Sequence, residues 1–211
     1  MAGRSRGLLR LRDDLSRLRG SLPGPLARLG GGDDDPYWDA FINRRAADPK
    51  NTIPDIIGRA PEGNIFPTVA ELHSPNVMSA HVKEFASYLR AVLCGIVDLS
   101  KQSPDVARGY PFAIVCAVRA EYDPYTSPGP GGQAAVQAGQ YVTFIVAAWL
   151  REMGFRGTMK IETSREERER LAVAVGLGTL NADGRLTVPK YGTKVHVTDI
   201  IFTDLPMVAD G

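Results

Sequence analysis

The chain has 211 residues, of which 44% are hydrophobic and 23% are charged, so it is long enough to bury a core in one main domain. The formal net charge of +1 removes the compositional case for a nucleic-acid-binding protein, which needs clustered uncompensated Lys and Arg. We see no secretory signal and no apolar run of about eighteen residues, so we expect a cytoplasmic protein without a membrane span.

The first third of the sequence contains two segments that we place outside the core. Residues 1–36 open with the Arg- and Leu-rich MAGRSRGLLRLRDDLSRLRG, which fits an amphipathic helix, and continue as a Gly, Pro and Asp linker. Residues 37–78 carry prolines at short intervals from 46 to 77, which predicts an irregular surface arm typical of a partner interface. The main domain is then expected to cover residues 79–211.

Helices and strands alternate in this domain. Apolar residues at helical spacing predict helices over 79–92, over 133–153 up to Gly154, and from Thr163 or Ser164 to Gly176. Strands are predicted at 96–99, 112–118, 185–188 and 194–202. The strand at 112–118 is almost continuously apolar, which predicts burial on both of its faces. The order indicates a mixed α/β (α+β) domain.

Simple motifs assign no function. The G-x-G at 176–178 follows a helix, whereas a dinucleotide fingerprint follows a strand. The charged run 164–170 is interpreted as a solvent-exposed helix face held by i,i+4 pairs. The histidines are scattered along the chain, and we interpret each as a surface or hydrogen-bonded residue rather than a metal ligand. They are His73, His81 and His196.

The cysteines are also few. Cys94 and Cys116 each sit in an apolar run, which favours buried small hydrophobic side chains. Two cysteines exclude a cysteine-ligated iron–sulfur cluster and a C-x-x-C zinc site within this chain.

The segment 175–207 reads VGLGTLNADGRLTVPKYGTKVHVTDIIFTDLPM, and LREMGF precedes it at 150–155. This segment resembles the corrinoid-binding domain of reductive dehalogenases and, more distantly, of epoxyqueuosine reductases. Those families share Ala-Gly-Leu-Gly, a Gly turn, Thr-Pro-x-Tyr/Phe-Gly-Pro-Arg and Phe-Thr-Asp-Leu-Pro-Leu, with Ile-Arg-x-Leu-Gly-Tyr upstream. The resemblance covers roughly residues 80–207. It implies a nitroreductase-like sandwich, with a mixed sheet flanked by helices.

The resemblance also implies a cofactor, cobalamin, lying against the loops around Gly-Leu-Gly and Pro-x-Tyr-Gly. The positions that it assigns to corrinoid binding are Gly176, Leu177, Gly178, Thr179, Asn181, Pro189, Tyr191 and Gly192. A bulky residue at position 178 is accordingly predicted to abolish cofactor binding with the fold largely intact. The alternative is that these glycines are helix caps and tight turns that serve only the fold. No D-x-H-x-x-G pattern is present, so we expect no histidine ligand from the protein on the cobalt.

The family's catalytic tyrosine would fall near residues 133–136, where this chain has none. Tyr141 on the following helix, which alternatively belongs to the core, and Tyr122 or Tyr125 in the preceding loop are the candidate hydroxyls. Lys194 aligns with the family's cation beside the substrate, or is an ordinary solvated lysine at a strand start.

Three functions follow from the resemblance. The first is a cobalamin-dependent reductase acting on a small organic substrate, halogenated in that family, with electrons from an external iron–sulfur or flavin protein. The second is a non-catalytic corrinoid carrier or processing protein, and the third is a nitroreductase-like protein that binds FMN. We also expect a homodimer, or a complex with an iron–sulfur partner, because the arm and the N-terminal segment would leave apolar surface unburied on a monomer.

Overall fold

The computed structural model describes residues 52–127 and 130–210, so the Arg- and Leu-rich segment and the start of the arm lie outside the described residues. The helices are α1 (Thr52–Arg59), α2 (Pro75–Tyr88), α3 (Pro104–Ala107), α4 (Pro130–Glu152) and α5 (Arg165–Ala174). The strands are β1 (Leu93–Asp98), β2 (Phe112–Arg119), β3 (Gly157–Thr158), β4 (Thr179–Leu180), β5 (Leu186–Thr187), β6 (Val195–Val197) and β7 (Ile201–Thr203). No described helix combines the length and the apolar content needed to cross a bilayer.

The main sheet has the order β1-β2-β7-β3, with β6 paired to β2, and β4 and β5 form a separate hairpin. Every described strand pair is antiparallel. The expectation of a mixed sheet is therefore wrong for the described residues. The chain reverses direction after β1, so β2 runs antiparallel beside it. A parallel pair would need a crossover connection that brings the chain back to the end of the sheet where β1 begins.

Helices cover both faces of this sheet, as predicted from the resemblance. On one face α2 and α4 pack against the strands, with Val82 and Val142 in the same buried cluster as Ile114. On the other face Leu171 of α5 packs in a cluster with Val115. The continuously apolar sequence of β2 follows from this arrangement, because six consecutive residues, Ala113 to Val118, are buried and face alternate helical layers.

Local signals place the ends of the helices. The Ser164 hydroxyl accepts a hydrogen bond from the backbone N–H of Glu167 and caps α5, as its sequence pattern predicts. Gly176 ends the same helix with a φ of +74°, while the N–H of Leu177 donates to the carbonyl of Ala172. This pairing is the Schellman arrangement, in which a residue in the left-handed region closes the helix.

The Pro-rich arm is only partly irregular. It contains α1, and Pro54 lies in the first turn of that helix, where a missing N–H costs no intrahelical hydrogen bond. Beyond α1 the arm binds its own domain, because the N–H groups of Phe66 and Ala70 donate to the carbonyls of Arg151 and Met153 at the end of α4. The last carbonyls of a helix lack i→i+4 partners, so the arm supplies donors there; the Arg151 carbonyl also accepts from the N–H of Gly154 at 3.0 Å.

The predicted strand 194–202 is broken into β6 and β7. Both pair with β2, but Val115 and Cys116 of β2 lie opposite three residues, Thr198–Ile200, instead of two. One extra residue in one strand of an antiparallel pair is a β-bulge. The N–H and the hydroxyl of Thr198 both donate to the Cys116 carbonyl, at 2.9 and 3.1 Å.

Candidate functional site

An open cavity of about 220 Å³ lies beside β6 and the bulge. Its walls are Pro124, Tyr125, Val136, Gln140, Arg168, His196, Thr198 and Asp199. These residues come from the loop after β2, from α4 and α5 on opposite faces of the sheet, and from the broken strand between them. Gly139 allows α4 to approach closely, because a Cβ there would lie 2.9 Å from Thr198 Cγ2.

Arg168 of α5 connects two walls of the cavity. Its Nη1 lies 2.6 Å from Asp199 Oδ1, and its Nη2 donates to the Tyr125 hydroxyl oxygen at 2.9 Å. The Arg168 side chain is only 15% exposed. Burial raises the pKa of Asp199, and the guanidinium of Arg168 acts against this by stabilising the carboxylate.

The charged run 164–170 is thus not a uniformly solvated face. Arg165 and Glu169 do form an i,i+4 ion pair, at 3.8 Å. Glu169 is nevertheless buried and accepts a hydrogen bond from the N–H of Leu186 at 2.7 Å, and Arg168 is turned toward the cavity. The exposed-face interpretation is wrong for both residues, because α5 rests on the sheet and the β4–β5 hairpin covers its side.

His196 is the most deeply placed titratable member of the cavity wall. It is 8% exposed, and its ring lies 6.2 Å from that of Tyr125 between their centres. Burial, together with the positive charge of Arg168, lowers the pKa of His196 to about 4, so the imidazole is neutral at pH 7. The interpretation of this histidine as a surface residue is therefore wrong.

Tyr125 is the predicted catalytic residue that the structure places in the cavity. Its hydroxyl oxygen accepts from Arg168, and the hydroxyl hydrogen has no acceptor among the described residues. The Arg165 guanidinium carbon lies 4.4 Å from the centre of the Tyr125 ring. Burial raises the pKa of Tyr125, although the charges of Arg168 and Arg165 act in the opposite direction, so the phenol is neutral at pH 7.

The other three candidates do not line the cavity: Tyr122, Tyr141 and Lys194. Tyr141 is 51% exposed on α4 and does not line the cavity, so the interpretation of this residue as core is wrong. Lys194 is 61% exposed and its Nζ lies 3.1 Å from Glu121 Oε2, as expected of a solvated lysine at a strand start. Their catalytic roles stay predictions.

The residues assigned to corrinoid binding are engaged in the fold itself. A Cβ at Gly178 would overlap the Thr187 carbonyl oxygen, so this glycine is needed where the hairpin crosses the end of α5. The Asn181 side-chain oxygen accepts from the N–H groups of Asp183 and Arg185, and Gly192 has a φ of +56° in the tight turn 188–192. The prediction that a bulky residue at 178 would leave the fold largely intact is therefore wrong, and the corrinoid roles of this group stay predictions.

The cavity is too small to enclose a corrinoid. Pockets for drug-sized ligands hold about 300–1,000 Å³, and a corrinoid is larger than such ligands. The cavity of about 220 Å³ suits a small molecule. Thr179 and Pro189 offer only open surface, so the described residues do not form a closed corrinoid site by themselves.

The thiols of the two cysteines and the imidazoles of the other two histidines are further possible metal ligands. Cys94 and Cys116 lie directly opposite each other on β1 and β2, with their sulfurs 3.7 Å apart; Cys116 is buried, as predicted, and Cys94 is half-buried. The rings of His73 and His81 meet at 5.5 Å, so these two are not scattered. Within residues 52–127 and 130–210, no three His, Cys, Asp or Glu side chains converge on one point.

Comparison with known proteins places the fold. No family model matches the chain, and no curated protein sequence matches it. A solved structure of the catabolic reductive dehalogenase NpRdhA matches with a TM-score of 0.62 and 21% identity over 80% of this chain. The same enzyme in complex with 3-bromo-4-hydroxybenzoic acid gives 0.60 and 19% over 75%. A reductive dehalogenase described as suggesting a mechanism for B12-dependent dehalogenation gives 0.60 and 18% over 75%.

These identities define a shared fold and no closer kinship. The protein is an α+β domain with the fold of one part of the reductive dehalogenases. The chain spans 26% of the length of each of those proteins.

Proposed function

We propose that this protein is a corrinoid-dependent, reductive-dehalogenase-like domain that acts on a small organic substrate. The observation that carries the proposal is the fold match, which extends over 75–80% of this chain to reductive dehalogenases, one of them described by its B12-dependent chemistry. The segment 175–207, with its Gly-Leu-Gly and Thr-Asp-Leu-Pro motifs, lies inside the same fold.

Tyr125 is our candidate proton donor. Reductive removal of a halogen consumes two electrons and one proton and releases a halide. A corrinoid would supply the electrons, and because the cavity of about 220 Å³ does not enclose one, it would lie outside the cavity, against the substrate. The Tyr125 O–H borders the cavity without an acceptor, and Arg168 donates to the same oxygen. That hydrogen bond would stabilise the phenolate after the proton has left.

Electron delivery belongs to another protein in this proposal. The chain has two cysteines, fewer than the four thiolates that an iron–sulfur cluster takes. We therefore assign reduction to an external iron–sulfur or flavin protein. Its docking, or a homodimer contact, would cover the apolar arm, where Ile65, Phe66 and Val69 are exposed.

Absorption spectroscopy tests the proposal directly. Titration with hydroxocobalamin should shift the cofactor's visible bands and saturate at one equivalent, whereas FMN should give no such change. The variant Tyr125→Phe should bind cobalamin equally well but lose turnover of a bromophenol in the presence of a chemical reductant. Binding without turnover in the unaltered protein would indicate a corrinoid carrier, and binding of FMN alone would refute the corrinoid proposal.

A further inference from the structure

We propose that the cavity beside β6 is a binding site for a small, uncharged ring molecule that both donates and accepts hydrogen bonds. Benzamide is the simplest probe of this class. The inference goes beyond the proposed function, because it rests on the cavity alone and requires neither a corrinoid nor a dehalogenation reaction.

The first support is the imidazole in the cavity wall. A neutral imidazole has one N–H donor and one acceptor nitrogen. His196 is 8% exposed and lines the cavity, so a ligand there would meet an imidazole that is otherwise packed inside the protein.

Two further polar groups around the same cavity are incompletely satisfied. Gln140 Oε1 and Arg168 Nε are buried without a partner, and both side chains belong to the cavity wall. The Tyr125 hydroxyl has a hydrogen to donate at the cavity's edge. The surroundings thus offer both donors and acceptors, which suits a ligand with both kinds of group.

The charge balance selects an uncharged ligand. Arg168 is paired with Asp199 at 2.6 Å. The next two arginines also have carboxylate partners, in the pairs Arg165–Glu169 at 3.8 Å and Arg185–Asp123 at 3.1 Å. With His196 neutral, the cavity holds no uncompensated charge, and an ionic ligand would lose hydration without gaining a counter-ion.

Size and shape favour a single ring. The cavity holds about 220 Å³, and its apolar walls are Val136 and Pro124. The rings of Tyr125 and His196, 6.2 Å apart between their centres and inclined by 57°, add aromatic surface to the wall.

Three probes of nearly equal shape test the inference: benzamide, the anion benzoate and the cation benzylamine. Each is titrated at pH 7 into the full chain, and binding is followed through the ring ¹⁵N resonances of His196 and by calorimetry. Benzamide should shift those resonances and bind about ten-fold more tightly than either ion. His196→Phe should weaken benzamide binding about five-fold or more, and His196→Gln, which keeps a donor and an acceptor, should recover most of it. Tyr88→Phe, at a site that is 80% exposed and outside the cavity, is the matched control.

Several results would overturn the inference. These are tighter binding of benzoate or benzylamine, benzamide binding unchanged by His196→Phe, or no benzamide binding, which would mean that the cavity holds only water. If His196→Phe does not fold, Tyr125→Phe replaces it, with about a five-fold loss expected from the missing hydroxyl. The hydroxocobalamin titration is a separate readout, so failure of corrinoid binding with benzamide binding intact removes only the proposed function.

Discussion

Replacement of Gly178 by alanine separates a structural role for the Gly-Leu-Gly loop from a cofactor role. The added Cβ would overlap the Thr187 carbonyl oxygen and lie 2.9 Å from Val188 Cγ1 and 3.1 Å from Leu186 Cδ1. Overpacking costs about 1–3 kcal/mol, and the upper end applies because one obstacle is backbone that cannot rotate away. For a domain of this size, about 3 kcal/mol lowers the melting temperature by about 6–12 °C.

Gly176→Ala is the matched control for that substitution. A Cβ at position 176 meets nothing within 4 Å, so the cost there comes only from the left-handed φ of +74° and amounts to about 1 kcal/mol. Urea unfolding followed by circular dichroism should therefore show the larger loss for Gly178→Ala. If Gly178→Ala kept the stability of the unaltered protein and lost only cobalamin binding, the steric account would be refuted.

Three further predictions concern buried polar groups. Folding lowers the pKa of His196 from 6.5 to about 4. The free energy of unfolding should therefore be highest above pH 6.5 and fall by about 3 kcal/mol as the pH drops toward 4. In urea titrations across that range, His196→Gln should remove this contribution. Asp199→Asn should destabilise the fold by about 1–3 kcal/mol in the same assay, because Arg168 is left 15% exposed without its counter-ion, and an unchanged midpoint would contradict this. The hydrogen bond to Cys94 and burial both raise the pKa of Cys116, so iodoacetamide should alkylate Cys94 first and reach Cys116 only on unfolding, as mass spectrometry can show.

Local signals in the sequence predicted most of the elements but not how they pair. The capping pattern at Ser164 and the glycine at 176 marked the ends of α5, because a cap depends on neighbouring residues only. Strand direction depends on which segments meet after folding, so the antiparallel sheet was not predictable from the same information. The helix α1 was missed because the prolines around it were taken as breakers, although a first-turn proline is compatible with a helix.

The sequence supplied one of the cavity's polar groups and missed the others. Tyr125 was among the predicted hydroxyls and lines the cavity, and its catalytic role stays a prediction. A signal for Arg168 was present, because it lies one turn before Leu171 and Ala172 on the apolar stripe of α5. His196 likewise sits between Val195 and Val197 in a strand whose three residues are all buried. A polar residue at a buried position of a regular pattern was the available indication of a site.

The bulge explains why this site could not be assembled from periodicity alone. Regular alternation from Val195 and Val197 would turn residues 199 and 201 to the same face, yet Ile200 and Phe202 pack there and Ile201 packs on the opposite one. The extra residue shifts the alternation by one, and so the sheet keeps both cores filled while Asp199 is left at the break to pair with Arg168. Because the same break lies next to His196, the interruption of the strand puts a neutral imidazole and an ion pair on one cavity wall. In a regular strand Asp199 would instead share the face of Val195 and Val197, and Ile200 would lie on the opposite face.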